Sequence, residues 1–367
     1  MENIDSNTQG SPLRVVQVGV ANFGRHRRET LRQSGKFEML AVHDWNAEAA
    51  EAAAVEENCR AVDSYEALLE TPGAEAVIIS TGATFHAAQV EQAARKGLHV
   101  FVEKPVCSAP EEVQHLLDVE QATGVVIAVG HAAHNQMAGS LRVREMIDAG
   151  ELGTIASFHK VTAHSGGFHI KPGDWRGDPA KNPGGMLFQC GVHGLHELMF
   201  LFGPIVEVYA TMRHDVHSTK TADVAVCTLR FASGLVGMLS AYHVTPYKHS
   251  LDIYGTKANL YRNERFFDEG SSMLLQRMRL DGQKEELEPV EVLSDEVGEM
   301  YGNLDNFYYS IREGRPVYPS LRDGLLAVQV VFAAEESFRR NRPVQLPTSL
   351  SEMSFCETET EVQAIEG

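Results

Sequence analysis

Cysteine is scarce in this chain. There are five in 367 residues, an odd number without any CxxC pair, which excludes a disulfide-stapled scaffold. Cys59, Cys107, Cys190, Cys227 and Cys356 read as ordinary thiols of a reducing compartment. No stretch reaches the roughly 18 consecutive apolar residues of a membrane-spanning helix. The opening MENIDSNTQGSP has neither the basic start nor the apolar core of a secretory signal, so a soluble cytoplasmic protein is expected. Positive charge is also in deficit: 32 Lys and Arg against 50 Asp and Glu leave a net charge of −18. A surface that acidic repels phosphate backbones and anionic lipid heads, so neither nucleic acid nor a membrane is an expected partner. Internal repeats and low-complexity runs are absent.

What the chain does have is core. Hydrophobic residues make up 43% and charged residues 22%, which excludes a disordered or collagen-like chain. The length suits roughly two domains. Residues 1–12 and 347–367 read as flexible tails, the second acidic and rich in Ser, Thr and Glu. From Leu13 short apolar runs alternate with amphipathic stretches. Strands are expected at Val15–Val20, Glu38–Asp44, Ala76–Ser80, Leu98–Val102 and Val125–Gly130. Helices fall between them, at Gly24–Ser34, Ala47–Glu57, His86–Lys96 and Pro110–Thr123. Strands spaced by helices of this length build a doubly wound parallel sheet. After about residue 150 the rhythm changes to strands at Ile155–Ala163, Ile205–Met212, Thr221–Phe231, Gly234–His243, Ser250–Tyr254 and Asn259–Tyr261. They predict a large open, mainly antiparallel sheet, closed by late helices at Tyr301–Glu313 and Leu321–Arg340. The fold class is α/β, divided into 13–131 for dinucleotide binding and 132–346 for substrate binding and oligomerisation. A large sheet with one open face predicts a homodimer or homotetramer.

Gly19-Val-Ala-Asn-Phe-Gly24 stands where the first strand turns into the first helix. A dinucleotide site needs a glycine for the tight turn, a small residue where the pyrophosphate approaches, and a glycine for helix–strand packing. Gly19, Ala21 and Gly24 suit those roles, with Asn22 and Phe23 in the turn. The helix N-terminus offers amides and a positive dipole end to phosphate. Asp44 ends the second strand, where a carboxylate accepts hydrogen bonds from ribose hydroxyls and repels a 2′-phosphate. NAD is therefore expected ahead of NADP, although Arg25, Arg27 and Arg28 lie nearby.

Glu103-Lys104-Pro105 follows the Leu98–Val102 strand at its C-terminal end, where ligands of such sheets bind. A lysine there can hydrogen-bond a reacting oxygen. Further on come Trp175-Arg176-Gly-Asp-Pro and a run from Gly184 to Glu197. If the chain is helical from Phe188, then Gln189, His193, His196 and Glu197 share one face. A polar stripe among Met, Leu and Phe suggests a lined cavity, the alternative being a histidine hydrogen-bonded in the core.

These pieces resemble the glucose–fructose oxidoreductase / inositol dehydrogenase / MocA family. The matching motifs are GVANFG at 19–24, STGATFH at 80–86, EKP at 103–105, WRGDP at 175–179, GG…G.H at 184–193 and LDIYGTKANL at 251–260. The resemblance implies a Rossmann domain followed by an open-sheet α/β domain, a nicotinamide cofactor, and a sugar, cyclitol or related polyol as substrate. By the same resemblance Lys104 and His193 are catalytic, while Ser80, Thr81, His86 and Glu103 join Lys104 beside the cofactor. The family's usual Asp four residues before the histidine is Gln189 here, and the Asp often found three after it is His196. Gln does not accept a proton at neutral pH, so acid–base duty falls to His193 or Lys104 and Gln189 only positions substrate.

Histidines crowd the expected cleft. His164, His169, Trp175, Arg176 and His196 are substrate-lining candidates beside Gln189. The HGLHE run lacks the HExxH spacing, and no metal is expected. Three functions fit: an NAD-dependent dehydrogenase of sugars, cyclitols or glycosides; a redox-neutral NAD enzyme that cleaves glycosides through transient oxidation; and a non-catalytic NAD-binding regulator.

Overall fold

The run LRVVQV is buried along almost its whole length, as a strand covered on both faces must be. In the computed structural model, which describes residues 10–217, 219–264, 272–281, 283–292 and 296–347, it is strand β1 (Leu13–Val18) at the middle of a six-stranded sheet. Around it lie α1 (Phe23–Ser34), β2 (Phe37–His43), α2 (Ala47–Glu57), β3 (Arg60–Ala61), α3 (Tyr65–Leu69), β4 (Ala76–Ile79), α4 (Ala83–Arg95), β5 (His99–Val102), α5 (Glu111–Thr123) and β6 (Ile127–Val129). Every pair is parallel, in the order β3-β2-β1-β4-β5-β6. The order reverses between β1 and β4, which opens a crevice beyond their C-terminal ends.

After α6 (Ala138–Asp148) come β7 (Ile155–Ala163), α7 (Val192–Phe202), β8 (Ile205–Arg213), β9 (Val224–Phe231), β10 (Val236–Tyr242), β11 (Lys248–Gly255), β12 (Ala258–Glu264), β13 (Ser272–Arg277) and β14 (Leu287–Pro289). The chain ends with α8 (Glu296–Glu313), α9 (Leu321–Arg340) and β15 (Val344–Gln345). The nine strands form one open sheet, β14-β13-β12-β11-β7-β10-β9-β8-β15, antiparallel except where β7 and β10 run parallel. Burial alternates along β8 and β9, as period-2 side chains on a one-sided sheet require. Phe158, Leu229, Leu239, Leu251 and Leu260 face α7 and α9 through Leu195, Leu198, Leu325 and Val328 in a core that continues into the first sheet. Tyr209, Met238 and Tyr254 are exposed on the other face.

Two elements depart from the pattern read in the sequence. The late helix α8 covers the first sheet: Leu304, Phe307 and Tyr308 pack on Leu13, Val15, Ile78 and Phe101. Apolar face and place in the chain do not say which sheet a helix will cover. The helix expected from Phe188 starts as a wider π turn over Leu187–Gly191 before α7 proper. The expected tails fall mostly outside the described residues, as does Cys356; within the first, Tyr308 donates to the Gly10 carbonyl at 3.0 Å and Arg312 to that of Pro12 at 2.9 Å. No described helix is long and apolar enough to cross a membrane.

Candidate active site

The β1–α1 turn is shaped by what its glycines lack. Gly19 has φ +79°, and a Cβ there would stand 2.7 Å from the Ser80 carbonyl group at the end of β4. A Cβ on Gly24 would come within 2.1 Å of the Gly19 oxygen. The turn therefore presses against both β4 and its own helix, as a dinucleotide cradle requires. Gln17 holds it from beneath, donating to the carbonyls of Gly19 and Gly24 at 2.9 Å each. Asn22 takes a positive φ of 49°, and the first turn of α1 carries no acidic residue. Ala21 and Phe23 are exposed. Asp44 accepts the Val20 N–H at 2.8 Å and the Asn46 N–H at 3.0 Å, so it also fastens the turn to β2.

Beside it opens a cleft of about 520 Å³, lined by Asp44, Trp45, Glu51, Asp63, Glu66 and Phe85 among others. Trp45, which sequence reasoning missed, is 79% exposed with its ring 5.9 Å from Phe85. The signal was an aromatic residue directly after the strand-ending acid. This cradle and cleft suit a nicotinamide dinucleotide: the turn would hold the pyrophosphate, and Asp44 with Trp45 the adenosine. The nearby arginines are engaged elsewhere. Arg25 pairs with Glu29 and Glu56, Arg28 with Glu56 and Glu57, and Arg27 with Glu103 in a buried pair at 2.6 Å. Glu103, expected beside the cofactor, thus spends its carboxylate on α1.

Lys104 reaches across to the second half of the chain, where its Nζ donates to the Gln189 carbonyl at 2.8 Å. His86 ties the two loops at the crevice: its Nδ1 is 2.8 Å from the Pro105 oxygen and its Nε2 3.0 Å from that of Thr81. Burial lowers its pKa, with the two carbonyls opposing. The Thr81 hydroxyl donates to Gln89 at 2.6 Å.

One turn beyond Gln189, His193 brings its Nδ1 to 3.4 Å from Nδ1 of His131, at the end of β6. Burial, then the charges of Lys104 and His196, push the His193 pKa well below its ordinary value. The predicted polar stripe divides here. His196 is only 3% exposed and stacks on His131 with centroids 4.7 Å apart, so it backs the site and does not line it. Its ring is turned inward among His131, His134 and Tyr318. Glu197 is equally buried, between Lys160 at 2.6 Å and Arg262. Burial works to raise its pKa, but Arg262 and then Lys160 hold it well below the usual carboxylate range.

On the substrate side His164 is half-buried. Its Nδ1 accepts the Gly166 N–H at 2.9 Å, and its Nε2 lies 3.5 Å from the Cys190 sulfur. Burial raises the Cys190 thiol pKa. Trp175 and Arg176 stack on one another at 4.6 Å, Arg176 turning to Asp174, while His169 is exposed. The structure therefore brings together Lys104, Gln189, His193, His164 and Cys190, with Trp175, Arg176 and His169 outside that cluster.

A glycine cradle at the switch point of a parallel sheet, joined through a lysine and a histidine to an open-sheet half, defines a two-part nucleotide-dependent oxidoreductase. Residues 13–131 match the oxidoreductase family model for an NAD-binding Rossmann fold, and residues 140–261 match the GFO/IDH/MocA C-terminal domain. The chain belongs to the GFO/IDH/MocA family and is an enzyme of the dehydrogenase and reductase class acting on CH–OH groups. It is 26% identical over 294 residues to scyllo-inositol 2-dehydrogenase (NAD(+)) of Bacillus subtilis, covering 77% of this chain and 81% of that protein. It is 34% identical over 215 residues to dTDP-3,4-didehydro-2,6-dideoxy-alpha-D-glucose 3-reductase of Streptomyces violaceoruber, covering 55% and 59%. The crystal structure of a Desulfitobacterium hafniense oxidoreductase described as NADPH-dependent superposes with a TM-score of 0.85 at 28% identity, covering 92% of this chain and 98% of that one.

Proposed function

We propose that this protein is an NAD-dependent dehydrogenase that moves hydride between a secondary carbinol carbon of a sugar or cyclitol and the cofactor. The observation that carries the reading is the Lys104 hydrogen bond to Gln189, one turn before His193. It joins the loop after β5 to the start of α7, so that a hydroxyl held beside the cradle meets an ammonium donor and an imidazole together. When bound, the nicotinamide supplies the hydride acceptor or donor. Lys104 donates a hydrogen bond to the reacting oxygen as it gains carbonyl character. His193, kept neutral by burial and by Lys104, takes the hydroxyl proton in oxidation and returns it in reduction. Residues 13–131 are then the cofactor half and 132–346 the substrate and self-association half.

NAD is favoured over NADP by the lining of the cleft. Asp44, Glu51, Asp63 and Glu66 face it, no lysine or arginine lines it among the described residues, and each nearby arginine already has a carboxylate. That acidity opposes a 2′-phosphate. The exposed Tyr209, Met238 and Tyr254 of the second sheet support pairing of copies through that face, and a monomer in light scattering at micromolar concentration would remove this part.

The test is absorbance at 340 nm with NAD or NADP and a panel of inositols, sugars and glycosides, with product analysis. NADH formation that falls about 100-fold or more in Lys104→Ala and His193→Ala, with NAD affinity little changed, supports the reading. Glycoside cleavage on a flat trace replaces it with redox-neutral cleavage. Tight NAD binding without any product replaces it with a regulator.

A further inference from the structure

His193 has two ring nitrogens, and the fold supplies a partner for Nδ1. That partner is Nδ1 of His131 at 3.4 Å, with the rings at 89° and their centroids 5.3 Å apart. Two imidazole nitrogens can meet only when one carries the hydrogen and the other a lone pair. His131 is fully buried and its backbone is pinned, the N–H to the Val129 carbonyl at 2.8 Å and the carbonyl to the Asn303 amide at 2.9 Å. Its ring is stacked on His196, which in turn lies 5.4 Å from the Tyr318 ring. An imidazole so enclosed cannot swing away from His193.

Among the described residues no carboxylate is hydrogen-bonded to His193 to perform this task. Four residues before His193 stands Gln189, whose carbonyl is taken by Lys104 and whose side-chain Nε2 is buried without a partner among the described residues. Glu197, four residues after it, is held by Lys160, Arg262 and Ser140. Inside the fold, His131 is what remains to orient the base.

We infer that His131 is the positioning residue of the site: its Nδ1 accepts the Nδ1–H of His193 and so leaves the His193 Nε2 lone pair free for the substrate. This rests on the dehydrogenase reading of the site. In oxidation the hydroxyl proton moves to Nε2 while hydride leaves the same carbon for the cofactor. The resulting imidazolium keeps its Nδ1–H on His131, and reduction reverses each transfer. The opposite tautomer would place a hydrogen on Nε2 from the start and leave no base. The arrangement needs a neutral His131, because an imidazolium has no lone pair to offer, and it puts the hydrogen of His131 on Nε2, which is buried without a partner among the described residues. Burial, then His196, His193, Lys104 and His134 around it, disfavour its cation. Partners that fix the tautomer of a metal-ligating histidine are typically worth about 10–100-fold, and the same scale is taken for His193.

The first measurement is long-range ¹H–¹⁵N NMR of histidine-labelled wild-type protein, with His193 and His131 assigned by substitution. The expected result is His193 in the Nδ1–H form and His131 in the Nε2–H form. In kinetics, His131→Leu lowers kcat about 10–100-fold with KM for NAD unchanged. His131→Asn, whose Oδ1 can take the place of Nδ1 as acceptor, restores most of the loss. A wild-type His193 found in the Nε2–H form overturns the inference, as does equal loss in the Leu and Asn variants. The tautomer is read without turnover and without the Leu variant, so this result is independent of the substrate panel and His193→Ala, which decide the dehydrogenase reading.

Discussion

Arg27 on α1 and Glu103 after β5 form an enclosed ion pair of the cofactor half, and removing one partner is a direct test of how the cradle is anchored. Arg27 Nε and Nη2 reach one Glu103 oxygen at 2.8 and 2.6 Å, and both side chains are under a tenth exposed. The guanidinium lies 4.7 Å over the Phe101 ring and 3.4 Å from Asn303. Arg27→Met would keep the stem packed on Phe101 but strand a carboxylate where water does not reach. Such stranding costs about 3–5 kcal/mol, whereas exchanging both partners for apolar residues is often neutral or better. At about 2–4 °C per kcal/mol, the single variant should lose roughly 6–20 °C in Tm. Arg27→Met/Glu103→Leu should be less damaged than either single variant. Thermal unfolding by circular dichroism, without cofactor and at pH 7, reads both. A loss below about 1 kcal/mol in Arg27→Met, or a double variant as damaged as the sum of its singles, would refute the argument that the pair is an enclosed unit.

Gly24→Ala places a methyl 2.1 Å from the Gly19 oxygen, so NAD affinity by calorimetry should drop at least about 100-fold, and retained affinity would mean the turn can open. Asp44→Ser should raise the NADP to NAD ratio of kcat/KM by about tenfold or more, since it removes the negative charge while a hydroxyl can still accept the Val20 N–H. Hydrogen bonds from Arg312, joined by those from Arg14, hold the Glu75 carboxyl down at about 2. A lowered folded-state pKa stabilises above the ordinary carboxylate range and is lost as pH falls toward 2. Glu75→Gln should therefore lower Tm at pH 7, with the gap to wild type closing near pH 2; a gap independent of pH would show that the charge contributes nothing.

The parallel half was legible because both faces of its sheet are covered. AVII and HVFV could be read as buried strands, and each C-terminal end pointed to the ligand side. Gly19, Gly24 and Asp44 could be named because a tight turn and a ribose restrict those positions to few residue types, whereas Lys104 and His193 were named through the family resemblance of EKP and G.H. Helix α6 was missed, and so was β13, whose SMLLQR has little polar–apolar alternation. Trp45 was missed because a lone aromatic after a strand carries no pattern. His196 was misplaced because its ring is taken up by stacking on His131, a contact from a distant part of the chain that helical spacing does not reveal.

The sequence by itself determined the class of fold, the two-part plan and the tight glycine turn between β1 and α1, since these follow from local periodicity and from steric limits within a few residues. Tertiary structure decided which sheet α8 covers, that Glu103 serves Arg27, and that His131 from β6 meets His193 from α7 across 62 residues of chain. Those are contacts between elements whose local sequences are indifferent to one another. They are set by the shape of the shared core and by the need of each buried charge or ring nitrogen for a partner, which no local pattern encodes.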